Sequence, residues 1–274
     1  MGSLISLFTA VLFYFGWAST DAETQALGLR DTVFHYSTSD YLLRSVDALY
    51  IPAWIAATAA LAAMGLHHLV ERDPAHAQRV LRPLRFAWLV PLALIPLRPL
   101  APAALDLIIP LATIVGFLAA AYARTRSPNP GTPLTARQQN AERLRKRRLW
   151  ALTLLISVLS LFAAVSAYAG VVGRGRASET AGTVDDQFPA VVVFSKDDLM
   201  IRGGGSCIFQ ITTKGSAYRY RYAGLRLFYI SGGRIFLVPR YWSPEAGTLF
   251  VLQEGDGHRI EYVSGYGYRA HECP

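Results

Sequence analysis

Arg98 and Asp106 lie on either side of a proline-rich turn within a long apolar stretch. Charges at membrane depth are costly and mark ion or substrate paths, so the two form a candidate intramembrane charge pair; beside a turn they can also reach water or each other. His67, His68, Glu71 and His76 bring imidazoles near a carboxylate. Neither an H-E-x-x-H nor a C-x-x-C spacing is present, so they read as interfacial histidines, not metal ligands. Gly203-Gly204-Gly205-Ser206 lacks the lysine and the helix of a phosphate loop, and Ser206 lacks the trailing glycine of a nucleophile elbow. Gly265-Tyr266-Gly267 echoes a potassium filter without a pore helix before it. The outer acids and histidines show no general acid–base spacing. The expectation is no catalytic residue, no cofactor and no metal.

Two further groups concern binding and cross-linking. Tyr218, Arg219, Tyr220, Arg221 and Tyr222 alternate, which in a strand sets tyrosines on one face and arginines on the other. Basic residues interleaved with aromatics resemble a nucleic-acid surface. The surrounding segment is close to neutral and predicted to lie outside the cytoplasm. The stretch therefore reads as a half-buried strand with a solvated arginine face, a candidate surface for an anionic envelope polymer or a partner protein and not for nucleic acid. Cys207 and Cys273 fall in the same segment and are a candidate disulfide closing a loop of about 66 residues.

These residues must be positioned by a membrane-embedded frame. Of 274 residues, 52% are hydrophobic and only 17% charged, against nearer ~25% charged in soluble domains. Trp150 to Val172 contains no charge and, at about 1.5 Å per residue, is long enough to cross a hydrocarbon core of roughly 30 Å. Before it stand Arg143, Arg145, Lys146, Arg147 and Arg148, and basic flanks stay cytoplasmic. Further apolar stretches are Leu4–Trp17, Leu49–Leu69, Phe86–Leu97 and Leu105–Tyr122, the middle ones interrupted by Pro91, Pro96, Pro99, Pro102 and Pro110. Residues 18–48 carry net −3 and residues 124–149 net +7, while residues 173–274 carry net +2. Five spans, with the N-terminus inside and the C-terminus outside, put each loop on the side its charge predicts. The scarcity of lysine suits a bacterium, and hence a bacterial cytoplasmic membrane.

Within this frame Thr20 and Glu23 form a capping-box signature for a short helix ending at Gly28, and Ser39 is the expected cap of a second helix. Ala56 with Ala60 and Ala59 with Ala63, like Ser160 with Ala164 and Ser166 with Gly170, place small residues four apart. This predicts a packed pair formed by the second span and the last. Residues 173–188 read as a Gly/Ala/Ser/Thr-rich linker. Residues 189–274 contain eight short β-branched or aromatic runs, with hairpin signals at Gly232-Gly233, pairing Ile230 with Ile235 and Phe228 with Leu237, and at Gly255-Asp256-Gly257. The predicted fold class is α+β: a five-helix transmembrane bundle (residues 1–172) followed by a small all-β, sandwich or barrel-like extracytoplasmic domain.

A five-span core followed by Tyr222-Ala-Gly-Leu-Arg-Leu-Phe-Tyr-Ile-Ser-Gly-Gly-Arg-Ile-Phe-Leu-Val-Pro239 resembles uncharacterised bacterial multi-pass membrane proteins with a C-terminal β-rich domain. The resemblance implies this architecture and no activity. The expected role is non-catalytic: a membrane protein, with the lipid bilayer and another membrane or envelope protein as partners, that presents the β domain for binding, sensing or scaffolding. The alternative is a component of a transporter or channel using the proline-broken spans and Arg98 and Asp106.

Overall fold

The computed structural model describes residues 2–34, 36–72, 81–126, 136–263 and Cys273. The chain forms two compact units, one of Met1–Ala18 with Leu42–Val171 and the other of Ser19–Tyr41 with Val172–Pro274.

The first unit is helical. Its elements come from α1 (Gly2–Ala26), α2 (Thr38–Arg72), α3 (Val90–Leu94), α4 (Pro102–Arg126) and α5 (Ala136–Gln187). Among the described residues, three stretches are long and apolar enough to cross a membrane: Tyr50–Arg72, Pro102–Thr125 and Gln139–Val184. The proline-rich segment is broken as its missing N–H groups demand, with α3 flanked by 3₁₀ turns at Ala87–Leu89 and Ile95–Leu97. It nevertheless follows α4 closely. Leu81 packs with Ala123, a Cβ on Gly116 would come within 2.5 Å of the Ala87 carbonyl oxygen, and Arg98 bonds to Asp106. The segment thus runs antiparallel to α4 over matching lengths, the hairpin that the sequence predicts.

The anticipated alanine-mediated packing is not formed, since Ala56, Ala59, Ala60 and Ala63 are all exposed, although α5 does touch α2 where the Tyr168 hydroxyl donates to the Ala48 carbonyl at 3.1 Å. Instead α5 takes α1 as its neighbour: Phe15 is fully buried, its ring 5.7 Å from Tyr168, and Tyr14 meets Phe162 edge-on at 5.3 Å. Ala164 and Ala169 of α5 are buried. Small side chains here leave room for aromatic rings, which fill more volume than a second alanine face.

In the second unit, α1 runs straight through Thr20 to Ala26, with no new helix starting at the expected capping box. The Thr24 hydroxyl turns back to the Thr20 carbonyl at 3.0 Å. Gly28, at φ 73°, does stop the helix: its N–H bonds the Gln25 carbonyl at 3.0 Å and that of Leu29 bonds Thr24 at 2.8 Å, the paired closure of a left-handed stop. The cap of α2 is Ser37 and not Ser39. The Ser37 Oγ accepts the Asp40 N–H at 3.3 Å and the Asp40 carboxylate accepts the Ser37 N–H at 2.8 Å, a reciprocal box.

Residues 190–263 form six strands where eight runs were expected: β1 (Ala190–Ser195), β2 (Cys207–Gln210), β3 (Tyr220–Ser231), β4 (Arg234–Pro239), β5 (Phe250–Gln253) and β6 (His258–Val263). Leu199–Arg202 is not a strand, and the runs around Tyr222 and Leu225 merge into β3. All six belong to one antiparallel sheet of order β5-β4-β3-β1-β6, with β2 on the first part of β3. Among the described residues the strands thus make one sheet and not the two of a sandwich. Gly224, at φ 73°, is the bulge at which β3 changes neighbour from β2 to β4; a Cβ there would lie 2.2 Å from the Gly205 carbonyl oxygen. The Gly232-Gly233 hairpin pairs Ile230 with Ile235 as expected, but a second bulge at Phe228 sets Leu227, not Phe228, opposite Leu237.

Gly255-Asp256-Gly257 does not make a hairpin, because β6 pairs with β1 instead of β5. Laid flat, β5 and β6 would stand four strand spacings apart, roughly 19 Å, more than the short 254–257 connection readily spans. The sheet therefore curls. Phe250 and Leu252 of β5 and Ile260 of β6 all pack against one inner cluster of Val191, Val193, Ile201, Tyr222, Leu225, Ile235 and Leu237, an open barrel-like curl.

The outer face is where the all-β reading fails. Leu27, Ala177, Val184, Val238 and Trp242 form a second core there. Phe34 is fully buried, its ring 5.0 Å from Phe236, 5.8 Å from Phe228 and 5.9 Å from Tyr229. Residues 173–187, expected as linker, are helix. Gly173 is close enough to α1 that a Cβ would lie 2.3 Å from the Ser19 carbonyl oxygen. Tertiary packing, with Ala177 and Val184 buried, overrides a composition that reads as flexible.

Candidate functional site

Beyond the part of the outer face covered by helix, the sheet carries a row of arginines and phenylalanines. Antiparallel pairing sets Arg259 of β6 opposite Phe194 of β1, Phe194 opposite Arg221 of β3, and Arg221 opposite Phe209 of β2. Directly paired residues share a face, so four adjacent strands present Arg–Phe–Arg–Phe. The Arg259 guanidinium lies 5.3 Å from the Phe194 ring centroid and that of Arg221 5.4 Å from Phe209, within cation–π range. Arg219 extends the row, donating to the Lys196 carbonyl at 2.9 Å and to Asp197 at 3.2 Å, while Glu261 pairs with Arg259 and raises its pKa. Lys196, Arg219, Arg221 and Arg259 face two carboxylates, Asp197 and Glu261, leaving the patch net positive.

The predicted alternation is real but its tyrosines are structural. Tyr222 is fully buried and Tyr220 packs on the inner cluster, while Tyr218 touches Phe194 at 6.2 Å between centroids. Arg221 is on the face opposite Tyr220 and Tyr222, as alternation requires, whereas Tyr218, which precedes β3, reaches Phe194 on the arginine side. Phe194, Phe209 and Arg259 were not found by sequence reasoning, because each lies on a different strand and only the register aligns them.

On the inner side, the Tyr222 hydroxyl donates to Asp198 at 2.6 Å and accepts the Leu199 N–H at 2.7 Å, and Arg202 donates to the same carboxylate at 2.8 Å. Met200, at φ 56°, gives it a further N–H at 2.9 Å. The Arg202 bond first, then those of Tyr222 and Met200, hold the Asp198 carboxyl well below the usual carboxylate range. Burial, with the Asp198 bond second, pushes the Tyr222 phenol up to about 12. Such a carboxylate is a weak base and such a phenol a weak acid near neutral pH, so the constellation fixes the turn after β1.

Cys207 and Cys273 are joined at 2.08 Å with Cα atoms 5.7 Å apart. Arg98 and Asp106 meet at 2.7 Å beside the hairpin turn, 62% and 41% exposed. The Nδ1 of His67 lies 2.9 Å from the Tyr122 hydroxyl and its Nε2 3.4 Å from Glu71; His68 is exposed. His76 and Gly265–Gly267 lie outside the described residues. Among the described residues no group of three or more His, Cys, Asp or Glu is arranged to hold a metal ion. The Gly203–Gly205 turn is packed against its neighbours: the Tyr241 N–H bonds the Gly204 carbonyl at 2.8 Å.

No protein-family model matches this chain, no curated protein matches it, and no solved structure does. The likeness to bacterial multi-pass proteins accordingly carries no family assignment.

Proposed function

We propose that this chain is a non-catalytic, five-span bacterial membrane protein that presents its curled-sheet unit outside the cytoplasm as a binding or scaffolding surface. The observation that carries the reading is the arginine–phenylalanine row: cations held over rings on four adjacent strands are a surface arranged for a partner. Three helices of spanning length, a proline-broken segment matched to α4, and α1 support five crossings, and the basic 124–149 segment favours the stated orientation. The transport reading is weaker, since Arg98 and Asp106 satisfy each other at the turn.

Photo-crosslinking in intact cells tests the proposal. A photoreactive residue at Arg219 is expected to capture a discrete protein or polymer, and one at Thr248, away from the row, is not. Equal labelling from both positions, or none from Arg219, would remove the binding role. Asp106→Asn separates the alternative: vesicle flux abolished by that change would favour transport.

A further inference from the structure

The arginines of the row are not free-swinging surface cations. Arg259 and Arg221 are paired through register to the same residue, Phe194, which places their strands two spacings apart, roughly 10 Å. Each guanidinium is braced over a phenyl ring, at 5.3 Å for Arg259 and 5.4 Å for Arg221. Phe194 meets both Arg259 and Tyr218, and Phe209 meets Arg221, so neither ring is an open stacking platform. That geometry disfavours single-stranded nucleic acid, whose bases need open aromatic faces to stack. It suits planar carboxylates, which a guanidinium binds through two parallel N–H bonds. Bracing lowers the entropy lost on binding, because the side chain is already held where the anion will meet it. The patch is net positive with Lys196 and Arg219 beside it, but Asp197 and Glu261 keep it from being a bare basic field. A ligand must displace or bridge the Glu261 contact to engage Arg259, which favours a ligand of several carboxylates over a single anion.

We propose, resting on the binding role above, that the row Arg259–Phe194–Arg221–Phe209 takes a linear acidic polysaccharide of the cell envelope, running across the strands with carboxylates on the two arginines. Carboxylates repeated along one such chain can meet Arg259 and then Arg221, whose strands stand two spacings, roughly 10 Å, apart.

The test uses the full chain in phosphatidylcholine nanodiscs. The probes are polygalacturonate, neutral dextran, an oligothymidylate and phosphatidylglycerol vesicles. Polygalacturonate is expected to bind in a salt-sensitive manner and dextran not to bind. Arg221→Gln and Arg259→Gln should each weaken polygalacturonate binding about 5- to 10-fold, and Arg221→Lys, which keeps the charge and loses the fork, by an intermediate factor. Far-UV circular dichroism and thiol titration confirm that each variant is folded and bridged. Should Arg221→Gln misfold, the exposed Arg259→Gln decides alone. Unchanged binding in a folded Arg259→Gln variant overturns the assignment. So does equal affinity for dextran, or tighter binding of the oligothymidylate or the vesicles. If polygalacturonate fails while a crosslinker at Arg219 still captures a protein, the polymer falls and the binding role stands; failure of both removes both.

Discussion

Replacing Phe34 by alanine probes whether the segment between α1 and α2 belongs to the sheet unit. The side chain is fully buried, and its ring lies 5.0–5.9 Å from those of Phe236, Phe228 and Tyr229. Deleting a buried phenyl ring removes its transfer free energy and leaves a cavity, together about 3–5 kcal/mol. Lost ring–ring contacts are part of that figure, not an addition to it. With a urea slope of about 1.5–2 kcal/mol/M for a unit of this size, the midpoint should fall by roughly 1.5–3 M. The assay is urea unfolding of the full chain in nanodiscs, followed by near-ultraviolet circular dichroism, which reports the packed aromatic residues of the sheet unit. Val33→Ala, at a position 37% exposed, is the control and should cost under about 1 kcal/mol. A Phe34→Ala midpoint within 0.3 M of that control, roughly the scatter of such extrapolations, would refute the packing of Phe34 on the outer face of the sheet.

Other consequences are narrower. Reducing the Cys207–Cys273 bridge, which spans 66 residues, should destabilise the sheet unit by roughly 2–4 kcal/mol, read as a fall in melting temperature; an impermeant thiol reagent should label intact cells only after reduction. Gly224→Ala should prevent stable folding, since its Cβ would lie 2.2 Å from a backbone oxygen. Gly232→Asn, in open space at φ 58°, should be tolerated within about 1 kcal/mol because asparagine accepts that conformation; expression and melting temperature distinguish the two. Asp198, its pKa depressed by Arg202, Tyr222 and Met200, stabilises the fold above its unfolded value of about 3.9 and loses that contribution as pH falls below it. Asp198→Asn should flatten the acid side of the stability profile. Tyr222, raised to about 12, adds stability that is complete below pH ~10 and disappears as pH rises through 12, so Tyr222→Phe should flatten the alkaline side.

How far this molecule could be read from its sequence depends on the range of the interaction concerned. Local signals served well: Gly28 stops a helix, Gly232-Gly233 turns a hairpin, and prolines break the segment before α4, each through backbone chemistry within a few residues. Signals that average over composition misled. Residues 173–187 contain the glycines and small polar residues of a linker, yet Gly173 is small because α1 passes against it, and the same residue type serves flexibility and close approach equally well. Phe34 lay in a loop assigned only by charge, and no periodicity marks a single residue that plugs a sheet face. The binding row was half legible for the same reason. Alternation along β3 put Arg219 and Arg221 on one face, but alignment across strands depends on register, and register was shifted by bulges at Gly224 and Phe228 that nothing in the pattern located. The Gly224 bulge in particular shifts the pairing of β1 with β3 so that Phe194 stands opposite Arg221 and in line with Phe209. Were the same residues paired without a bulge from Val191 opposite Leu225 onward, Phe194 would face Tyr222 and Arg221 would turn toward the inner cluster, where a charge has no partner. The glycine that makes the bend is therefore also what puts the arginine outside, and fold and candidate function in this unit rest on one backbone conformation.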